Sequence, residues 1–90
     1  MKIVWTPRAR QDLVEIREYL RAKSPRAATR ILARIITRVN KQRAMPFAAP
    51  VERDGPERCL VIGQTRYLVL YTVAGEWMTV VAVYHQMRNR

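Results

Sequence analysis

The apolar residues change period once, and that change decides which folds are open to the chain. Through residue 45 they recur at helical spacing: Ala9, Leu13, Ile16 and Leu20, then Ala28, Ile31, Leu32, Ile35, Ile36 and Val39. Such spacing gathers them on one face of each helix. From Arg58 onward the period is two, in runs rich in Val, Leu and Tyr, as strands require. Thr6-Pro7 and Ser24-Pro25 each set a capping hydroxyl before a proline, which loses no needed N–H at the first helical position. The spacing predicts helices over 7–22 and 25–44, with Pro46 preventing much continuation. Their connection is so short that the two helices must pair antiparallel. Residues 2–6 form a short β-prone run, and 47–57 read as a loop rich in Pro, Gly and charge. Strands are expected over 58–62, 66–73 and 77–84, turned at Gly63-Gln64-Thr65 and Ala74-Gly75-Glu76. The expected fold is α+β, in the order β-α-α-β-β-β. A helical hairpin packs on a curled antiparallel four-stranded sheet, and the opening strand returns to pair with a later one. Residues 1–90 make a single domain.

Charge is distributed unevenly along this frame. Residues 1–45 carry 12 basic and 3 acidic side chains (+9), and residues 46–90 carry 5 and 4 (+1), giving the net +10. No acidic residue occurs from Leu20 to Val51. Arg26, Arg30, Arg34 and Arg38 recur every four residues along the second helix. They form a ridge displaced by roughly a third of a turn from its apolar face. Like charges at this spacing repel by a few tenths of a kcal/mol per pair. Two uses fit the ridge: a surface for an anionic partner, or long stems covering apolar surface.

Several chemistries are excluded. The chain has one Cys and one His, too few for a zinc site, and three isolated turn glycines in place of a phosphate-cradling loop. Ser24 is the sole serine and already serves as a cap. The carboxylates Glu52, Asp54 and Glu57 share one loop and read as solvated. No metal or cofactor is expected. A lone Cys59, no signal-peptide core and no apolar run of bilayer length lead us to expect a cytoplasmic protein that does not engage membranes. Metal-free RNA cleavage or pure binding remain. For cleavage, His85 would move a proton, Arg58, Arg66 or Arg88 would hold phosphate, and Tyr84 would donate only if strongly perturbed. His85 equally fits a strand-end histidine serving the fold or a partner. Tyr67, Tyr71 and Tyr84 fit sheet core or a base-stacking platform.

The order of elements, together with several residues, resembles the RelE/ParE toxin superfamily of bacterial type II toxin–antitoxin systems over nearly the whole chain. The similar stretches are Trp5-Thr6-Pro7 with Ala9, Asp12-Leu13 and Ile16; Pro25, Ala27-Ala28 and Arg30; Arg58-Cys59-Leu60; Tyr67-Leu68-Val69-Leu70-Tyr71; and Val83-Tyr84-His85-Gln86. The resemblance implies one of two mechanisms. RelE-like and YoeB-like members cleave mRNA on the ribosome, with an Arg where this chain has Leu68 and, in YoeB-like members, a Glu where Ala48 follows Pro46-Phe47. ParE-like members poison DNA gyrase without a catalytic site. The two replaced residues favour the ParE-like branch. Its implied partners are DNA gyrase and a ParD-like acidic antitoxin. Arg30, Arg34 and Arg38 are expected to meet the antitoxin, and His85, Arg88 and Arg90 the target. The alternative is a ribosome-dependent mRNA endonuclease using His85 with Arg58, Arg66 and Tyr84. A second alternative is a nontoxic nucleic-acid-binding or partner-binding relic.

Overall fold

A computed structural model describes residues 1–87. Its elements are β1 (Lys2–Trp5), α1 (Pro7–Lys23), α2 (Pro25–Gln42), β2 (Arg58–Val61), β3 (Tyr67–Ala74) and β4 (Trp77–His85), in the expected order. Both caps form as the sequence implies. The Thr6 hydroxyl accepts the Ala9 N–H at 3.1 Å and the Ser24 hydroxyl accepts that of Ala27 at 3.2 Å. Ser24 also ends α1, its N–H donating to Leu20 O at 2.7 Å. One residue thus closes one helix and opens the next, which is why the hairpin is so tight. α2 stops at Gln42, two residues before the expected end, and the chain leaves it through short turns. No helix among the described residues is long and apolar enough to cross a membrane.

The sheet order is β1-β4-β3-β2. β3 is antiparallel to both of its neighbours, but β1 runs parallel to β4, so the sheet is mixed rather than antiparallel throughout. β2 and β4 share one direction because both oppose β3, and β1 shares it too. The helical hairpin and the loop after it therefore return the chain to the end from which β1 set out. Hydrophobic period carries no information about strand direction, so this could not be read from the sequence. β3 is central and buried on both faces, with Leu68 and Val69 both buried. Its inner face, with Met78, Val80 and Val83 of β4 and Leu60 and Ile62, meets Ala9, Ile16, Ile35 and Val39 of the helices. A register shift opposite Leu70/Tyr71 leaves Val81 without a counterpart. That bulge lets both Val80 and Val83 reach the core despite their odd spacing.

β4 outruns β1. Beyond Val80 its free edge is met by the start of α1 instead of a strand. The Thr6 N–H donates to Val80 O at 3.0 Å, the Thr6 hydroxyl to Val81 O at 3.0 Å, and the Val83 N–H to the Asp12 carboxylate at 2.9 Å. Asp12 is therefore a side-chain substitute for a strand carbonyl. Its replacement should leave a part-buried N–H unsatisfied: Asp12→Ala is expected to lower unfolding stability by about 1–2 kcal/mol. Urea denaturation checks this, and a change below about 0.3 kcal/mol would show the bond to be dispensable.

Candidate functional site

α2 carries five basic side chains, Arg26, Arg30, Arg34, Arg38 and Lys41. Its apolar stripe buries Ala28, Ile35 and Val39, the last two against the sheet, so residues placed a quarter turn or more away face outward. There Arg30, Ala33, Arg34, Thr37, Arg38 and Lys41 line an open groove of about 320 Å³. Arg30 and Arg34 are exposed and Arg38 is half-buried. α2 has no carboxylate of its own, and those of α1 are engaged locally. Asp12 meets Arg8 at 3.7 Å, Glu18 meets Arg17 at 3.3 Å, and Glu15 accepts from Gln11 at 3.2 Å. The three arginines expected at a partner surface thus lie together, on one face.

The residues of the alternative catalytic set do not come together. His85 closes β4 opposite Tyr67, whose ring it meets edge-on with centroids 5.2 Å apart. Its Nδ1 accepts the Met87 N–H at 3.1 Å, which leaves Nε2 as the protonated nitrogen of the neutral ring. It lines a small cleft of about 120 Å³ shared with Asp12, Glu15, Tyr19 and Tyr67. Two carboxylates beside it give this cleft the wrong sign for a phosphate. Tyr84, one residue earlier, points to the opposite face of the sheet. There the Arg8 guanidinium donates to its hydroxyl at 2.9 Å and lies 5.1 Å from its ring centroid. Arg58 faces the loop after α2, donating to Phe47 O at 3.1 Å and Ala49 O at 2.8 Å. Its register partner is Tyr71, about 13 Å along β3 from Tyr67. Arg66 alone is near His85: it precedes β3, is exposed, and its carbonyl accepts the Gln86 N–H at 2.7 Å. Leu68, where the nuclease branch carries Arg, is 5% exposed and part of the sheet's packing. Arg88 and Arg90 lie outside the described residues. Among the described residues, no three of His, Cys, Asp and Glu converge as a metal site needs.

Two features escaped the sequence reading. A groove of about 620 Å³ runs between β1 and the helices, walled by Ile3, Trp5, Leu13, Val14 and Ile36. Its signal was the surplus of apolar residues on α1 and α2, more than one stripe can bury. The second is a polar network under the loop. Gln42, only 3% exposed, donates to Met45 O at 3.1 Å and to the Tyr71 hydroxyl at 3.0 Å, which itself donates to Pro46 O at 2.6 Å. Gln42 follows Val39 by three residues, so it continues the apolar stripe with a polar side chain, and that was its signal.

Residues 3–90 match the family described as the ParE toxin of the type II toxin-antitoxin system, parDE. The chain is 33% identical over 87 residues to the protein named "Putative toxin Y4kP" of Sinorhizobium fredii (strain NBRC 101917 / NGR234), covering 94% of this chain and 91% of that protein. It also superposes on a chain from the solved structure titled "Chromosomal ParDE TA system from P. aeruginosa", with a TM-score of 0.83. That likeness covers 94% of this chain and 95% of the other at 20% identity, and so concerns the fold.

Within the ridge, Arg34 stands one turn from both Arg30 and Arg38. Arg34→Gln is expected to raise unfolding stability by about 0.5 kcal/mol at low salt. The gain should vanish at about 1 M salt, where charges are screened within some 3 Å. Paired urea titrations check it; an equal gain at both salt concentrations would mean that repulsion along the ridge is not its origin.

Proposed function

The chain belongs to the ParE family of type II toxin–antitoxin toxins, and from that membership we propose that it arrests growth by binding DNA gyrase and stabilising the enzyme's DNA cleavage complex, with no catalytic step of its own. The observation carrying this reading is the dispersal of the nuclease set. Leu68 is packed into the sheet where a phosphate-binding Arg would be needed, and Tyr84 points away from His85. Arg58 supports a loop, and His85 sits beside carboxylates. General acid–base cleavage needs its groups within hydrogen-bond reach of one substrate. Pure binding needs no such convergence. His85 and the basic tail with Arg88 and Arg90 are assigned to the target side. Acting on gyrase would put the protein in the cytoplasm.

Neutralisation follows from the ridge. A ParD-like antitoxin with an acidic, partly disordered segment pairs its carboxylates with Arg30, Arg34 and Arg38 as it orders, and the paired charge offsets the entropy lost. Likeness to a chain of a ParDE system supports such a partner.

Two outcomes are expected. After induced expression, thymidine incorporation should fall within minutes and before methionine incorporation, and His85→Ala should not restore methionine uptake to any greater extent. An early fall in methionine uptake that His85→Ala abolishes would assign the ribosome as target. Separately, changing Arg30, Arg34 and Arg38 together to Glu should weaken antitoxin binding by at least about tenfold. It should also flatten the salt dependence of binding. Unchanged affinity and unchanged salt slope, read by titration calorimetry, would remove the ridge from the antitoxin contact.

A further inference from the structure

Immediately after α2 the chain displays Met45 and Phe47, which are 66% and 64% exposed. Exposed apolar side chains in a loop are ordinarily mobile, and ordering them on binding costs affinity. Here the backbone beneath them is held from three directions. Gln42 donates to Met45 O at 3.1 Å, the Tyr71 hydroxyl to Pro46 O at 2.6 Å, and Arg58 to Phe47 O at 3.1 Å and Ala49 O at 2.8 Å. Gln42 and Tyr71 are buried, and the amide of one and the hydroxyl of the other both donate to this loop. A core that commits its polar groups to fixing two outward-facing apolar residues has built a rigid knuckle. The Arg58 guanidinium lies 5.0 Å from the Phe47 ring centroid, covering one face of the ring. The edge of the ring and its other face stay open to a partner.

Resting on the reading of this chain as a toxin that acts by binding, we propose that Met45 and Phe47 form a preorganised docking knuckle for the toxin's protein target. Its counterpart on that target is an apolar pocket rimmed by carboxylates. The rim follows from charge: Lys41, Arg43 and Arg58 surround the knuckle in sequence or in space, and no acidic residue occurs from Leu20 to Val51. Aromatic residues, methionine and arginine are the types enriched at protein–protein interfaces. Arg38 lines both the ridge groove and the shallow apolar pocket of Ala48, Pro50 and Val61 beside the knuckle. An antitoxin segment seated on the ridge therefore ends next to the knuckle and denies it to the target.

The test compares growth arrest by the full chain, Met45→Ser/Phe47→Ser and Phe47→Leu at matched intracellular levels, with thermal unfolding of each and capture of purified DNA gyrase. The serine variant is expected to melt like the wild type and to need about tenfold more protein for arrest, the loss of one hot spot. Phe47→Leu, still apolar, should stay within about threefold of the wild type. Arrest by the serine variant at the wild-type level overturns the knuckle, whichever target is bound. So does a serine variant that fails to fold, since the two residues would then be packing elements. Wild-type arrest without gyrase capture overturns the gyrase reading alone, and the dose comparison still decides the knuckle. A wild-type chain that arrests nothing overturns both.

Discussion

The edge of β4 beyond Val80 is the constraint on which the rest of the molecule depends. β4 has nine residues and β1 has four, so the longer strand would leave main-chain groups without partners beside the core. A helix cannot offer its own main chain to a neighbour, because its N–H and C=O groups are used internally. Only the capping residue before it and its side chains are available, and the chain uses both: the Thr6 N–H and hydroxyl, then the Asp12 carboxylate. These contacts fix the rotation of α1 about its axis, with Ala9 and Ile16 against the sheet. Ser24 then ties α2 to α1 with almost no slack. Once α1 cannot roll, α2 cannot either, and the direction in which Arg30, Arg34 and Arg38 point is set by hydrogen bonds made at the far side of the hairpin.

Much of this was legible in the amino-acid pattern, for reasons that can be named. Cap-plus-proline pairs mark helix starts because both residues act locally, within a turn of the boundary. The apolar run 67–71 marks a central strand because burial on both faces leaves no polar position. What could not be read depended on contacts far apart in sequence. The parallel pairing of β1 with β4 joins residues about 75 positions apart, and nothing local records it. α2 ends at Gln42, where Arg43, Ala44 and Met45 turn to tighter main-chain hydrogen bonds just before the proline at residue 46. Of the candidate residues, the arginine ridge was legible because helix geometry alone places it. That Arg58 holds two loop carbonyls was not legible, because that use belongs to tertiary structure.

Ordinary alternation along a strand separates His85 from Tyr84, so a catalytic pair drawn from those neighbours was always improbable on geometric grounds. The same alternation explains what they do instead. Tyr84 receives Arg8 on one face, and His85 packs on Tyr67 beside the α1 carboxylates on the other. Each is thereby a reporter of how α1 sits on β4, one above the sheet and one below.

A toxin that acts by binding, as proposed for this chain, faces a problem that a nuclease does not. Without a transition state to recognise, all of its effect must come from ground-state affinity, and affinity is eroded by every side chain that has to be ordered on contact. Buttressing a loop with buried polar groups answers that problem at the level of a single site. The groups that do so are unusual for a domain of this size, where a small core gains most from being purely apolar. Gln42 occupies a position that a leucine would fill more simply, and its two hydrogen bonds recover the polar burial while adding only the fixed loop. A residue whose simplest replacement would pack as well, but would release Met45 from its anchor and leave the Tyr71 hydroxyl without its donor, is best accounted for by what the loop presents rather than by the stability of the core.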